Sequence, residues 1–200
     1  MTSSETKRDK ANAKRRQHIL EAAVLCFLEN GYHQTGVRDI AKRAGISLGN
    51  LYNHFSGKHD VLAEIAAQER AELAPFLDLL AEDGPAEDVL TRFVTAYAEY
   101  LASPEIVILT LEITSEAIRK PDIAELFTGS RTALVEALTK LIGRGISEGK
   151  MRTVSDVEET AYLILEVIES TSYRIAIDGA PAKRVLDNLM GFFSAALIAR

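Results

Sequence analysis

Apolar residues recur at helical spacing along most of the chain. Ile19, Leu20, Ala23, Val24, Phe27 and Leu28 fall on one stripe, which predicts a helix over residues 13–30. Gly31 follows as its stop. Cys26 lies beside the stripe, where a small packed thiol is the ordinary reading. Val37, Ile40, Ala41 and Ala44 define a second, short helix that begins at Thr35, whose hydroxyl can cap the first turn. Gly45 ends it, since a positive φ costs glycine nothing. Ser47 caps a third helix over residues 48–54, with Leu51 and Phe55 turned inward. Ser56-Gly57-Lys58 breaks the chain again and opens a fourth helix that ends near Pro75.

Punctuation beyond Lys58 predicts five more helices, about nine in all. Pro85 starts one whose inner face carries Val89, Leu90, Phe93, Val94, Tyr97 and Leu101. Pro104 opens a segment apolar on almost every side, through Ile106, Val107, Ile108, Leu109, Leu111 and Ile113, which is expected to be central and buried. The others run from Pro121 to before Gly149, over residues 155–178 and over residues 181–200. No period-2 stretch bounded by turn residues occurs, so the expected fold class is all-α.

Charge changes the picture. The first 60 residues hold ten basic and six acidic side chains, against 13 and 23 in the other 140. A basic end on an acidic body either meets a polyanion or is a solvated tail. Residues 1–12 lack periodicity and are expected to form a disordered basic arm. No apolar run approaches the ~18 residues of a membrane span, and no secretory h-region is visible. The single cysteine excludes an intramolecular disulfide. A cytoplasmic protein without a membrane partner is expected.

All four histidines, His18, His33, His54 and His59, lie in the first 60 residues. The acidic body therefore has neither a Cys/His metal site nor a His-based triad. No Gly-rich phosphate loop is present either. Neither an enzyme nor a cofactor is called for. A helical protein-interaction module remains the other class, but it has no use for the polar third helix.

Two short helices around a Gly-containing turn form the pattern of a helix-turn-helix, over residues 36–55. The third helix presents Asn50, Asn53 and His54 beside the small Gly49. In such a motif the second helix enters the major groove of double-stranded DNA.

Residues 16–62 closely resemble the TetR family of bacterial regulators. The match runs through Arg16, Ile19-Leu20, Ala22-Ala23, Phe27, Gly31-Tyr32 and Thr35. It continues through Ile40-Ala41, Ala44-Gly45-Ile46-Ser47, Gly49, Leu51-Tyr52, His54-Phe55, Lys58 and Leu62, without insertion. The resemblance implies a three-helix DNA-binding domain (13–60) and a larger helical domain (61–200) that binds a small-molecule effector and dimerises. It also implies a repressor released from its operator by that effector, and pairing of the last two helices with those of a second copy. Gly36 departs from a good helix start, either as neutral variation or to approach a phosphate.

By residue type and by this resemblance, Thr35, Ser47, Tyr52, His54 and Lys58 are expected phosphate contacts, although Tyr52 can also serve the core and His54 a surface cap. Asn50, with Asn53, Arg38 and Leu48, is expected to read bases, and Gly49 to allow close approach. Arg8, Lys14, Arg15 and Arg16 are expected along the backbone or in the minor groove. A seven-residue helix spans only ~10 Å, so two copies about 34–36 Å apart would read a palindromic operator. Leu165, Ile168, Leu186, Leu189, Met190, Phe193 and Leu197 are the expected homodimer contacts, intramolecular packing being the other reading. Phe93, Tyr97, Thr110, Glu112, Thr114, Phe127, Arg131 and Ser170 are the effector candidates. Glu112 would hold a cationic ligand or pair with Arg131.

Overall fold

The computed structural model describes residues 3–199, with the side chains of 3–7, 69 and 70 outside that description. Residues 1 and 2 of the expected arm, and the expected helix end at residue 200, lie outside it. Ten helices are present among the described residues, and no strand. They are α1 (Ser3–Gln34), α2 (Val37–Arg43), α3 (Leu48–Tyr52), α4 (Lys58–Glu72), α5 (Ala74–Leu80), α6 (Ala86–Leu101), α7 (Pro104–Ala117), α8 (Pro121–Ser147), α9 (Val157–Asp178) and α10 (Ala182–Leu197). The extra helix arises where Pro75 sits in the first turn of α5 and ends α4 at Glu72, short of the expected point. Helix α1 reaches back to Ser3, so residues 3–12 are helical rather than irregular.

The chain forms two compact units instead of dividing once near residue 60. One comprises residues 1–69 with 108–127, and the other 70–107 with 128–200.

In the first unit, α1 contributes Ile19, Leu20, Ala23, Cys26 and Phe27 to a core shared with Ile40, Leu51, Phe55, Leu62, Ile113 and Ile123. Gly31 interrupts α1 with φ +75°, as its place after the stripe predicts. Helix α2 closes in a Schellman motif: Ile46 N–H donates to the Ala41 carbonyl at 3.0 Å and Gly45 N–H to that of Lys42 at 3.2 Å. Gly45 adopts φ +62° there. The half-buried Ile46 packs on the core and fixes the turn.

The second unit is built around Phe93, Leu134, Leu138, Ile142, Ile164, Leu165 and Ile168. Asp156 caps α9 by accepting from Glu159 N–H at 3.0 Å, and Gly179, at φ +62°, ends it. Gly145 allows a close approach: a Cβ there would lie 2.6 Å from Met151 Sδ. Beyond Leu197 the chain leaves the helix and Ala199 N–H donates to the Lys150 carbonyl at 3.0 Å. Helix α7 corrects an expectation. Val107 and Ile113 are buried, but Ile108 and Leu111 are exposed, so it is one-sided rather than central.

Candidate DNA interface

Helix α3 is five residues long, and hydrogen bonds from His54 N–H and Phe55 N–H to the Leu51 carbonyl carry the turn onward. Ser47 Oγ caps it, accepting from Asn50 N–H at 3.2 Å. Leu51 is fully buried and anchors the helix. The opposite side is left outward: Ser47, Gly49, Tyr52 and Asn53 are exposed, and Leu48, Asn50 and His54 half-buried. Tyr52 keeps 50% of its surface, which removes it from the core. Arg38 on α2 is exposed as well. A groove of about 380 Å³ separates this face from the start of α1. Arg8, Asn12 and Arg15 line one wall, with Asp9 and Ala11, and Asn50, Asn53 and His54 the other. The amide oxygen of Asn50 is enclosed and has no hydrogen-bond partner among the described residues.

Three residues expected at DNA make hydrogen bonds within the protein. Thr35 is 2% exposed. Its hydroxyl lies 2.8 Å from the Gly31 carbonyl and 3.1 Å from that of Cys26, closing α1 rather than capping α2. The cap of α2 is Gly36, extended at φ −100° and ψ 159°, with its N–H donating to the Asp39 carboxylate at 2.8 Å. Gly36 therefore precedes the helix, where glycine is favourable, and does not weaken its first turn.

Lys58 is the second case. Its ammonium donates to the carbonyls of Tyr32 (2.6 Å), His33 (3.1 Å) and Thr35 (2.9 Å) and sits 4.4 Å from the centre of the Tyr32 ring. Burial pushes its pKa down, opposed by the charges of Glu116 and Glu112. A cation opens α4 because it neutralises the carbonyl end of α1, and no external anion is required.

Arg16 is the third. It pairs with Glu64 at 2.9 Å, donates to the His54 carbonyl at 2.6 Å and lies 4.1 Å over the Phe55 ring. Of the expected basic set, Arg8, Lys14 and Arg15 remain exposed. Within the same unit, two histidines tie its first part to residues 108–127. His33 Nε2 lies 3.1 Å from the buried Glu116, and His59 Nε2 lies 2.6 Å from Asp122.

The effector candidates are divided. Thr110, Glu112, Thr114 and Phe127 belong to the first unit, and Phe93, Tyr97, Arg131 and Ser170 to the second. Phe93 and Tyr97 are core residues stacked at 5.4 Å. Arg131 pairs with Glu169, not with Glu112. Burial pulls the guanidinium pKa down, but Glu169, together with the charges of Tyr97 and Glu166, more than offsets it and leaves the pKa raised. Ser170 is exposed on α9. Of the expected dimer residues, Leu165, Ile168, Leu189, Phe193 and Leu197 are buried in the chain's own core, with Leu186 and Met190 packed against it. The large apolar residues left outside on the same helices are Leu163, Ile177 and Phe192, out of phase with the inner stripe. Of the three, Ile177 is the one the sequence pattern does not mark.

An exposed polar helix held by a capped turn defines a helix-turn-helix regulator. Residues 19–65 match the family described as bacterial regulatory proteins, tetR family. Residues 88–187 match the AefR-like transcriptional repressor C-terminal domain. The chain belongs to the TetR family of transcriptional regulators. It is 29% identical over 178 residues to the transcriptional repressor AcnR of Corynebacterium diphtheriae, covering 86% of this chain and 88% of that one. It is 28% identical over 160 residues to the fatty acid metabolism regulator protein of Bacillus subtilis, covering 76% and 79%. The fold is shared with a regulator from Saccharomonospora viridis in complex with choline, at a TM-score of 0.83, 22% identity and 94% and 100% coverage. It is also shared with FadR from Bacillus subtilis in complex with stearoyl-CoA, at 0.71, 24%, 87% and 97%. These relatives are regulators, not enzymes. No helix among the described residues is long and apolar enough to cross a membrane.

Proposed function

We propose that the protein is a cytoplasmic, homodimeric repressor that holds a palindromic operator and leaves it when a small molecule binds. The observation that carries the DNA reading is the outward face of α3 with the unpartnered Asn50 amide oxygen beside a groove lined by Arg8 and Arg15. An unpaired enclosed acceptor costs about 1–3 kcal/mol, which pairing with an adenine edge would recover. Asn50 reads bases, helped by Asn53, Arg38 and Leu48, and Gly49 allows the helix in. Ser47, Tyr52 and His54 hold phosphates, and Arg8, Lys14 and Arg15 follow the backbone. Thr35 and Lys58 act indirectly, by fixing the end of α1.

The homodimer forms through α9 and α10, whose outer faces carry Leu163, Ile177 and Phe192. The effector acts through the acidic helical part of the chain. The structures with choline and stearoyl-CoA make a cationic small molecule and an acyl thioester sensible first probes.

A gel-shift titration against the DNA upstream of the protein's own gene, at several salt concentrations, tests this reading. Specific binding with a steep salt slope is expected. Equal affinity for unrelated DNA of the same length would overturn it.

A further inference from the structure

Helix α9 carries a self-complementary pattern on its outer face. Leu163, Glu166, Ser170, Arg174 and Ile177 are all exposed, at successive spacings of three, four, four and three residues. That spacing keeps them on one side of the helix. Their chemistry is ordered about Ser170: an apolar residue seven positions to either side, and opposite charges four positions to either side. Leu163 and Ile177 keep 53% and 75% of their surface. Glu166 and Arg174 make no ion pair among the described residues. Eight residues apart, they are separated by about 12 Å along the axis and cannot reach each other. An open groove runs between Glu166, Val167, Ser170, Thr171 and Arg174.

We infer that two copies of the chain cross through α9 in antiparallel register, with the two-fold axis at Ser170. A two-fold contact requires each surface to complement itself. In this register Glu166 of one copy meets Arg174 of the other, and Arg174 meets Glu166, so both charges are matched twice. Leu163 of each copy faces Ile177 of its mate. The small Ser170 lies against its own counterpart, where any large side chain would hold the helices apart. A parallel register sets like charge against like charge and is disfavoured. On α10, the exposed Gly191, Phe192, Ala195 and Ala196 continue an apolar, small-residue face. The inference rests on the homodimer reading above and adds its register and its axis.

Charge exchange tests it by sedimentation of the full chain at micromolar concentration. Glu166→Arg and Arg174→Glu, singly, are each expected to weaken the dimer by about tenfold or more. The double variant, Glu166→Arg with Arg174→Glu, is expected to return it to within about threefold of wild type, because the swapped charges again match. Ser170→Cys gives a second readout, since the native Cys26 is buried and does not compete. Mild oxidation should link it to a covalent dimer, whereas Ile177→Cys, about 21 Å from its counterpart in this register, should not link. A wild-type dimer whose single charge variants stay as tight, whose double variant fails to recover, or whose Ile177→Cys links faster than Ser170→Cys, overturns the register alone. A wild-type monomer overturns the register and the homodimer together.

Discussion

The Lys58 ammonium and the Tyr32 carbonyl oxygen lie 2.6 Å apart, so the first residue of α4 closes the end of α1. The same ammonium reaches the carbonyls of His33 and Thr35. These groups lie where Gly31 has interrupted the helix and its last carbonyls have no helical partner.

Lys58→Met should therefore act on stability. It leaves three carbonyls without their charged donor, at a cost of about 1.5–3 kcal/mol. A thermal melt should show a lowered Tm. The salt slope of operator binding should equal that of wild type once the folded fraction is corrected for. A slope reduced by about one would instead mean that Lys58 contacts a phosphate.

Asn50→Ala should behave in the opposite way. Asn50 is half-buried and its amide oxygen is enclosed without a partner, so Tm should hold or rise as that cost is removed. Operator affinity should fall by about 1–3 kcal/mol, with affinity for unrelated DNA unchanged. Parallel gel-shift titrations on the two DNAs measure the difference.

Acid should expose the role of Asp122. The hydrogen bond from His59 holds its carboxyl below the usual range. A depressed folded pKa gives stability that is complete above the unfolded value, about 3.9, and is lost as pH falls through the folded pKa. Wild type should therefore melt above Asp122→Asn at pH 6, and the two curves should converge by about pH 2. Curves separated equally at every pH would refute the ionic origin of the effect.

Gly145→Ala probes a close approach in the second unit. The added methyl would meet Met151 Sδ at 2.6 Å and Ala86 Cβ at 3.1 Å. Met151 can shift, but Ala86 cannot. A loss of about 1–3 kcal/mol is expected, read from urea unfolding. Ala at Gly143, where no atom lies within 4 Å of the added methyl, should be neutral or slightly stabilising.

Features set by neighbours in the chain were legible in the sequence. The stripe from Ile19 to Phe27, the stops at Gly31 and Gly45, and the Ser47 cap each depend on a few adjacent residues, and each occurs where the pattern predicts it. What escaped depends on distant partners. Arg16 reads as one more basic residue of an arm until Glu64, 48 positions on, pairs with it. Thr35 and Lys58 have the side chains of phosphate ligands, and only the folded end of α1 shows that they serve its carbonyls. Arg131 reads as a partner for Glu112, and only the folded chain brings Glu169 of α9 beside it instead. On α9, Leu165 and Leu163 look alike in sequence. The helix phase buries one and leaves the other outside.

Arg16 has a mechanical consequence. One guanidinium grips α1, the loop just after α3 and the middle of α4. Helix α3 is thereby tied to α1 and α4 in one block, and swinging it out alone would break those contacts. A signal that ended DNA binding would have to carry the whole block along. The outward face of α3 would travel with that block unchanged.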